Sequence, residues 1–158
     1  MKNPKTLLRN ALLILAAGGV VFVLAQEWAG RRGAPAVFDD APIPEAAQVV
    51  VYFFSTGKEC TTCEQIPQYT KATLERNFAP AMASGALVYR AIDVDLPQHE
   101  HFLAEYKLYT KSVVVEQRAG GKSVRWVNLE KVWDLVYDEP GFEAYVRDAV
   151  RAMLEQKA

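Results

Sequence analysis

The sequence predicts an α/β domain on a central, mixed four-stranded sheet with flanking helices, preceded by an N-terminal hydrophobic helix. Three observations predict it. Apolar, β-branched runs alternate with segments of helical spacing in the order β-α-β-α-β-β-α. The run Ala11–Ala25 contains no polar side chain and stands apart from that pattern. A chain of 158 residues with 51% hydrophobic content can bury one real core. The order also sets the mixture. Strand, helix and strand make a parallel pair with a right-handed crossover, and two strands joined by a two-residue turn run antiparallel.

At the N-terminus, Lys2, Lys5 and Arg9 precede the run ALLILAAGGVVFVLA, and Gln26, Glu27 and Trp28 close it. Its length is short of the ~20 residues that span a bilayer comfortably and near that of a signal-peptide core. Val23-Leu24-Ala25 offers a cleavage site, while Leu7, Leu8 and Trp28 can lengthen the run into an uncleaved anchor. Both readings keep the basic residues in the cytoplasm and put the domain on the extracytoplasmic (periplasmic) side, anchored to the inner membrane or secreted. Residues 1–29 are therefore read as membrane anchor or signal segment. Residues 30–46, with GRRGAPAVFDDAPIP, are read as a linker, and 47–158 as the folded domain.

Within the domain, Val49–Phe54 reads as a strand buried on both faces and ends at Ser55-Thr56-Gly57. The pairs Thr61/Glu64 and Thr62/Gln65 fit a capping box, and Ile66, Tyr69, Thr73, Leu74 and Phe78 then recur at helical spacing. Pro67 is expected to kink this helix unless it falls in the first turn. Ser84-Gly85 ends the helix, and Ala86–Asp93 reads as the second strand. A short helix follows Pro97, with Phe102, Leu103 and Tyr106 as its apolar face. Val113–Val115 opens the third strand, Gly120-Gly121 makes the turn, and Val124, Trp126 and Val127 mark the fourth. Beyond Pro140, Phe142, Tyr145, Val146, Ala149, Val150, Met153 and Leu154 outline an amphipathic helix.

The only two cysteines, Cys60 and Cys63, lie in FFSTGKECTTCEQIP, between the first strand and its helix. Thiolate is the nucleophile in disulfide exchange, and a helix start, with unpaired N–H groups and a positive dipole end, favours it. Lys58 adds to this effect and Glu59 opposes it. Cys63 falls one turn further along. The expected division is that Cys60 attacks a substrate sulfur and Cys63 resolves the mixed disulfide, with Thr61 and Thr62 tuning the potential. Zinc bound by Cys60, Cys63, His99 and His101 is the chemical rival. His99 and His101, however, are two apart, so a helix points them to different sides, and both are expected at the solvent surface. The two thiols alone can also hold a soft metal or trivalent arsenic.

Other classes find little support. A net charge of −1 and a pI near 6.1 give no basic field for nucleic acid. No Gly-rich phosphate loop is visible, so a nucleotide or flavin cofactor has no sequence support. Asp93-Val94-Asp95 reads as a polar turn after a strand, and Trp126, Trp133 and Tyr137 as packing residues.

This order of elements, with CxxC after the first strand, resembles the thioredoxin-like proteins over about Gln48–Gln156. More closely, VDLPQHEHFLAEYKLYTKSVVV and WVNLEKVWDLVYDEPGFEAYVRDAVRAML resemble the small ArsF family, labelled a nitrophenyl-compound nitroreductase subunit. The resemblance implies a secreted or membrane-anchored protein linked to aromatic-arsenical handling beside an efflux permease, with Cys60 and Cys63 as its redox pair. Two departures stand out. Ser112, after Lys111, occupies the place where thioredoxins put a cis-proline facing the disulfide. The strand Val49–Phe54 also lacks the buried carboxylate that assists proton transfer there. A dithiol delivers one electron pair and must then be re-reduced, whereas nitro reduction takes successive two-electron steps. The expected role is thus a thiol–disulfide oxidoreductase or electron relay, its only redox group the Cys60–Cys63 disulfide. Its partner is a protein dithiol or disulfide, or a membrane electron donor, and Thr61, Thr62, Lys111 and Ser112 form the substrate face. The alternatives are a thiol module passing a soft metal or arsenic to a membrane exporter, and a redox-inert adaptor.

Overall fold

A computed structural model of the chain describes residues 38–39, 41–55 and 61–156, the side chains of 61–63 excepted. Every residue of β1 (Val49–Ser55) is buried, as a continuous β-branched and aromatic run requires. The strand is central because both its edges are paired, in the order β2-β1-β3-β4. β2 (Leu87–Asp93) runs parallel to it, from Val49 opposite Leu87 to Ser55 opposite Asp93. β3 (Ser112–Ala119) runs antiparallel, with Ser112 opposite Phe54, and β4 (Lys122–Asn128) is antiparallel to β3. The expected α/β architecture with a mixed four-stranded sheet is present.

Each connection follows from local chemistry. Gly120 (φ +56°) and Gly121 (φ +75°) form the two-residue turn of the β3–β4 hairpin, a left-handed pair that L side chains adopt only with strain. The β1–β2 crossover is α1 (Thr61–Ala83). Pro67 lies in its second turn, yet the helix breaks instead at Phe78 (φ −133°, ψ 23°). Phe78 stands two residues before Pro80, which the sequence reading passed over; its ring and missing N–H disrupt the turn that precedes it. α2 (His101–Glu105) is a short helix after the 3₁₀ turn Pro97–His99. α3 (Glu139–Glu155) is capped by Asp138, whose side chain accepts from the Gly141 N–H at 3.2 Å. At its other end the buried Gln117 of β3 donates to the carbonyls of Met153 and Gln156.

The two faces of the sheet bury different chemistry. Val49, Val51 and Phe53 pack with Ile66 and Leu74 of α1 and with Phe142, Val146 and Val150 of α3. Val50, Tyr52 and Phe54 point the other way, against Tyr106, Leu108 and Val114, with Phe102 and Trp126 packed alongside. Part of the segment read as a linker is held on the edge strand β2. The Asp39 N–H donates to the Ala91 carbonyl at 2.8 Å, and Arg90 pairs with the Asp39 carboxylate at 3.0 Å. Arg90 also donates from Nε to the Ala41 carbonyl at 3.1 Å. Residues 1–29 lie outside the described residues; among those described, no helix is long and apolar enough to cross a membrane.

Candidate functional site

The carboxyl ends of β1 and β2 and the first residue of β3 meet at one end of the sheet, because Ser55 is opposite Asp93 and Phe54 opposite Ser112. The chain leaves β1 at this end and re-enters regular structure at Thr61. Of the predicted redox pair, Cys60 lies outside the described residues. Thr61, Thr62 and Cys63 are the first three residues of α1, with their side chains outside the description. Thr61 is therefore already helical, and Cys60 precedes it in the sequence.

Lys111 and Ser112, predicted for the substrate face, do fall at this end of the sheet. Ser112 is buried, and its hydroxyl donates to the Thr110 carbonyl at 2.8 Å. The Lys111 carbonyl accepts from the Trp133 indole N–H at 3.0 Å. These two bonds tie the loop before β3 to itself and to the segment after β4. They leave the Ser112 hydroxyl proton engaged and unavailable as a free donor.

Beside this loop opens a cleft of about 440 Å3, lined by Ser112 and Thr110 together with Tyr106, Tyr109, Trp126 and Trp133. Lys107, Asn128 and Glu130 supply polar groups to its wall. Tyr109 is 96% exposed, whereas Tyr106 is buried and meets Trp126 edge to face at 5.4 Å. Burial pushes the Tyr106 phenol well above its ordinary range, and the neighbouring Tyr52 and Glu116 push in the same direction. The sequence reading took Trp126 and Trp133 as packing residues and passed over Lys107 and Tyr109. These residues come from the loop before β3, from β4 and from the segment after it, so no single stretch of sequence announced them.

The histidines part company. His101 is exposed, as expected, with Nδ1 donating to the Gln98 carbonyl at 3.1 Å. His99 is not; it is 8% exposed, and Nδ1 donates to the Asp93 carbonyl at 2.8 Å. The correction has a simple cause. The 3₁₀ turn folds His99 back over the end of β2, where it packs near Phe102 at 6.2 Å between ring centres. Among the described residues, no three His, Cys, Asp or Glu side chains cluster as a metal site would need. Asp93 ends β2 in the expected polar turn, its carboxylate accepting from the Asp95 N–H at 3.0 Å.

A buried carboxylate does exist in the sheet, on β3 and not on the strand Val49–Phe54 where the sequence reading noted its lack. Glu116 of β3 is 1% exposed, accepts from the Tyr52 hydroxyl at 3.2 Å and pairs with Arg118 at 3.1 Å. It stands opposite Val50, so five residues of β1, about 17 Å at ~3.3 Å per residue, separate its level from Ser55. At that depth Glu116 is a structural counter-ion and not a proton acceptor for the end of the sheet.

No family model matches the chain, and no curated protein matches it. Among solved structures, one described as "Structure of a malarial protein" is similar at 10% identity with a TM-score of 0.37. The match covers 68% of this chain and 94% of that one. At that level it bears on neither mechanism nor substrate. Among the described residues, the class that the structure defines is an α/β domain on a mixed four-stranded sheet with three α-helices.

Proposed function

We propose that the protein is a thioredoxin-like thiol–disulfide oxidoreductase or electron relay, exported and tethered to the membrane by its N-terminal segment. What supports the reading is that the described part of α1 begins at Thr61, the residue after Cys60 in the sequence, on the crossover from β1 at the end of the sheet where β3 begins with Ser112. A helix start favours thiolate over thiol by its unpaired N–H groups and dipole. In the proposed cycle the Cys60 thiolate attacks one sulfur of a partner disulfide. The S–S bond breaks, a mixed disulfide forms, and the first partner thiolate leaves. Cys63, deprotonated, attacks the Cys60 sulfur and releases the second, leaving a Cys60–Cys63 disulfide. A dithiol partner or membrane donor then returns two electrons and two protons. Resemblance to the ArsF family adds aromatic-arsenical or nitroaromatic handling beside a permease as the setting, with this chain as an accessory.

The test equilibrates the full-length chain in glutathione buffers of graded poise and counts free thiols, with Cys60→Ser as control. The expected result is one reversible two-thiol transition, abolished by the substitution. Alkylation is expected to be faster at Cys60 than at Cys63 below neutral pH. Thiols that stay reduced in every buffer, or that are blocked by co-purifying metal, overturn the relay in favour of a soft-metal module.

A further inference from the structure

We infer that the segment carrying Asp39, Ala41 and Pro42 is a latched strap that guards the edge of β2 against pairing with a second copy of the chain, with the Arg90 guanidinium as its clasp. The inference goes beyond the thiol reading and rests on residues that take no part in it. An edge strand offers unpaired N–H and C=O groups to any other strand, and proteins blunt such edges with charge or cover them. The order β2-β1-β3-β4 leaves two edges. β4 carries the exposed cations Lys122 and Arg125. β2 carries Arg90 as its one cation, and that side chain is only 15% exposed because it is turned onto the strap.

The strap starts as a ladder and then stops being one. The Asp39 N–H donates to the Ala91 carbonyl at 2.8 Å, and the chain runs on to Gln48, whose N–H meets the Ala86 carbonyl before the other end of β2. Antiparallel pairing would next bring Ala41 opposite Tyr89. The Ala41 N–H is instead taken by the Asp39 carboxylate at 3.0 Å, and Pro42 has none to give. Arg90 supplies the donors that this geometry withholds. Its Nη1 donates to the Tyr89 carbonyl at 3.0 Å, Nε to the Ala41 carbonyl at 3.1 Å and Nη2 to the Pro42 carbonyl at 3.5 Å. Nη1 also pairs with the Asp39 carboxylate at 3.0 Å. A planar guanidinium can span these acceptors, and the single ammonium of a lysine cannot. Ahead of Ile43, which packs against the aromatic side of the core, the described strap hangs on the Asp39 N–H and this one side chain, so its opening is a local event. Once opened, the edge fits its own copy. Two β2 strands paired about Ala91 set Tyr89 opposite Asp93 and Arg90 opposite Ile92, so no like charges meet.

The test uses the full-length chain in mild detergent under reducing conditions, read by amide hydrogen exchange and sedimentation velocity. Arg90→Lys keeps the cation and loses the fork. It is expected to speed exchange at the Asp39 amide by about tenfold or more and to leave the Val115 amide of β3 unchanged. Its dimer fraction is expected to rise with concentration above that of the unsubstituted chain. Arg90→Ala is expected to act in the same direction and more strongly. An Asp39 amide that exchanges at the free-chain rate in the unsubstituted protein, or equally slowly in Arg90→Lys, overturns the clasp. Equal acceleration at Val115 makes the strap part of the global fold and overturns the latch. Faster strap exchange with unchanged sedimentation at every concentration overturns the guard. None of these readouts involves Cys60 or Cys63, so failure here leaves the glutathione titration standing, and the reverse.

Discussion

The two faces of the sheet are made by alternate residues of the same strand, yet they hold together differently. One face is largely aliphatic and roofed by two long helices, α1 and α3. The other is aromatic. Tyr52, Phe54, Phe102 and Tyr106 lie 5.2–6.0 Å apart under the five-residue α2, and Glu116 and Arg118 are set into the sheet beneath. The first face gains stability from close packing under rigid cover. The second depends on ring contacts and on satisfying buried polar groups, which is more exacting because every partner removed leaves another uncompensated.

The sharpest test of that contrast is a pair of neighbours on β1. Phe53→Ala opens a cavity under α1 and α3, which cannot settle into it, and is expected to cost about 4–5 kcal/mol. Phe54→Ala opens one under the short α2, which can move, and is expected to cost nearer 3 kcal/mol. Urea denaturation of both variants measures the difference; a larger loss for Phe54→Ala would break the comparison.

Next in size is the polar network. Glu116→Ala removes the counter-ion of Arg118, which keeps its bond to the Gly121 carbonyl, and the carboxylate acceptor of the Tyr52 hydroxyl, and is expected to cost about 3 kcal/mol. Arg118 already has its Nε buried without a partner, so losing the carboxylate adds to a guanidinium that is already under-satisfied. Replacing both charges, as Glu116→Leu with Arg118→Met, is expected to recover most of that loss. If the double variant is as unstable as Glu116→Ala, the charges do more than neutralise each other.

The smallest effect appears only in alkali. Burial raises the phenols of Tyr52, Tyr89 and Tyr106 well above the ordinary value near 10. A raised folded pKa gives stability that is full below the unfolded value and is lost as pH climbs past it, since only the unfolded chain then releases these protons. Stability is expected to be flat in this respect to about pH 9.5 and to fall steadily above pH 10. Absorbance titration should show three of the seven tyrosines ionising only with unfolding. Two of the three belong to the aromatic face, so Tyr52→Phe and Tyr106→Phe together should flatten the alkaline slope.

Much of the sheet was legible because its signals are local. Val49–Phe54 could only be a strand buried on both sides, and Gly120-Gly121 between apolar runs could only be a hairpin turn. The helix break was misplaced because Pro67 drew the eye, while Pro80, thirteen residues on, acts on Phe78. His99 was misread because a spacing rule for helices was applied to a residue in a 3₁₀ turn, and only the fold brings the Asp93 carbonyl to its Nδ1. Glu116 and Arg118 were readable in principle, as opposite charges two apart on a strand share a face. Their partner Tyr52 is sixty-four positions away from Glu116, which no local pattern reveals. The cleft lies furthest from reach, since it gathers residues from before β3 and after β4 that meet only when the sheet is formed.

The Gly120-Gly121 turn sets a clock as well as a shape. It makes β3–β4 the one strand pairing that closes a two-residue loop, whereas β1–β2 must wait for a 23-residue helix to cross over and β1–β3 spans more than fifty residues. Short loops close in tens of nanoseconds and hairpins form within microseconds, while distant pairings bear the entropy of the chain between them. The hairpin, which carries Glu116, Arg118 and Trp126, is therefore expected to form first, with β1 docking on it later. The chain's slowest step is expected to be the arrival of its most buried strand.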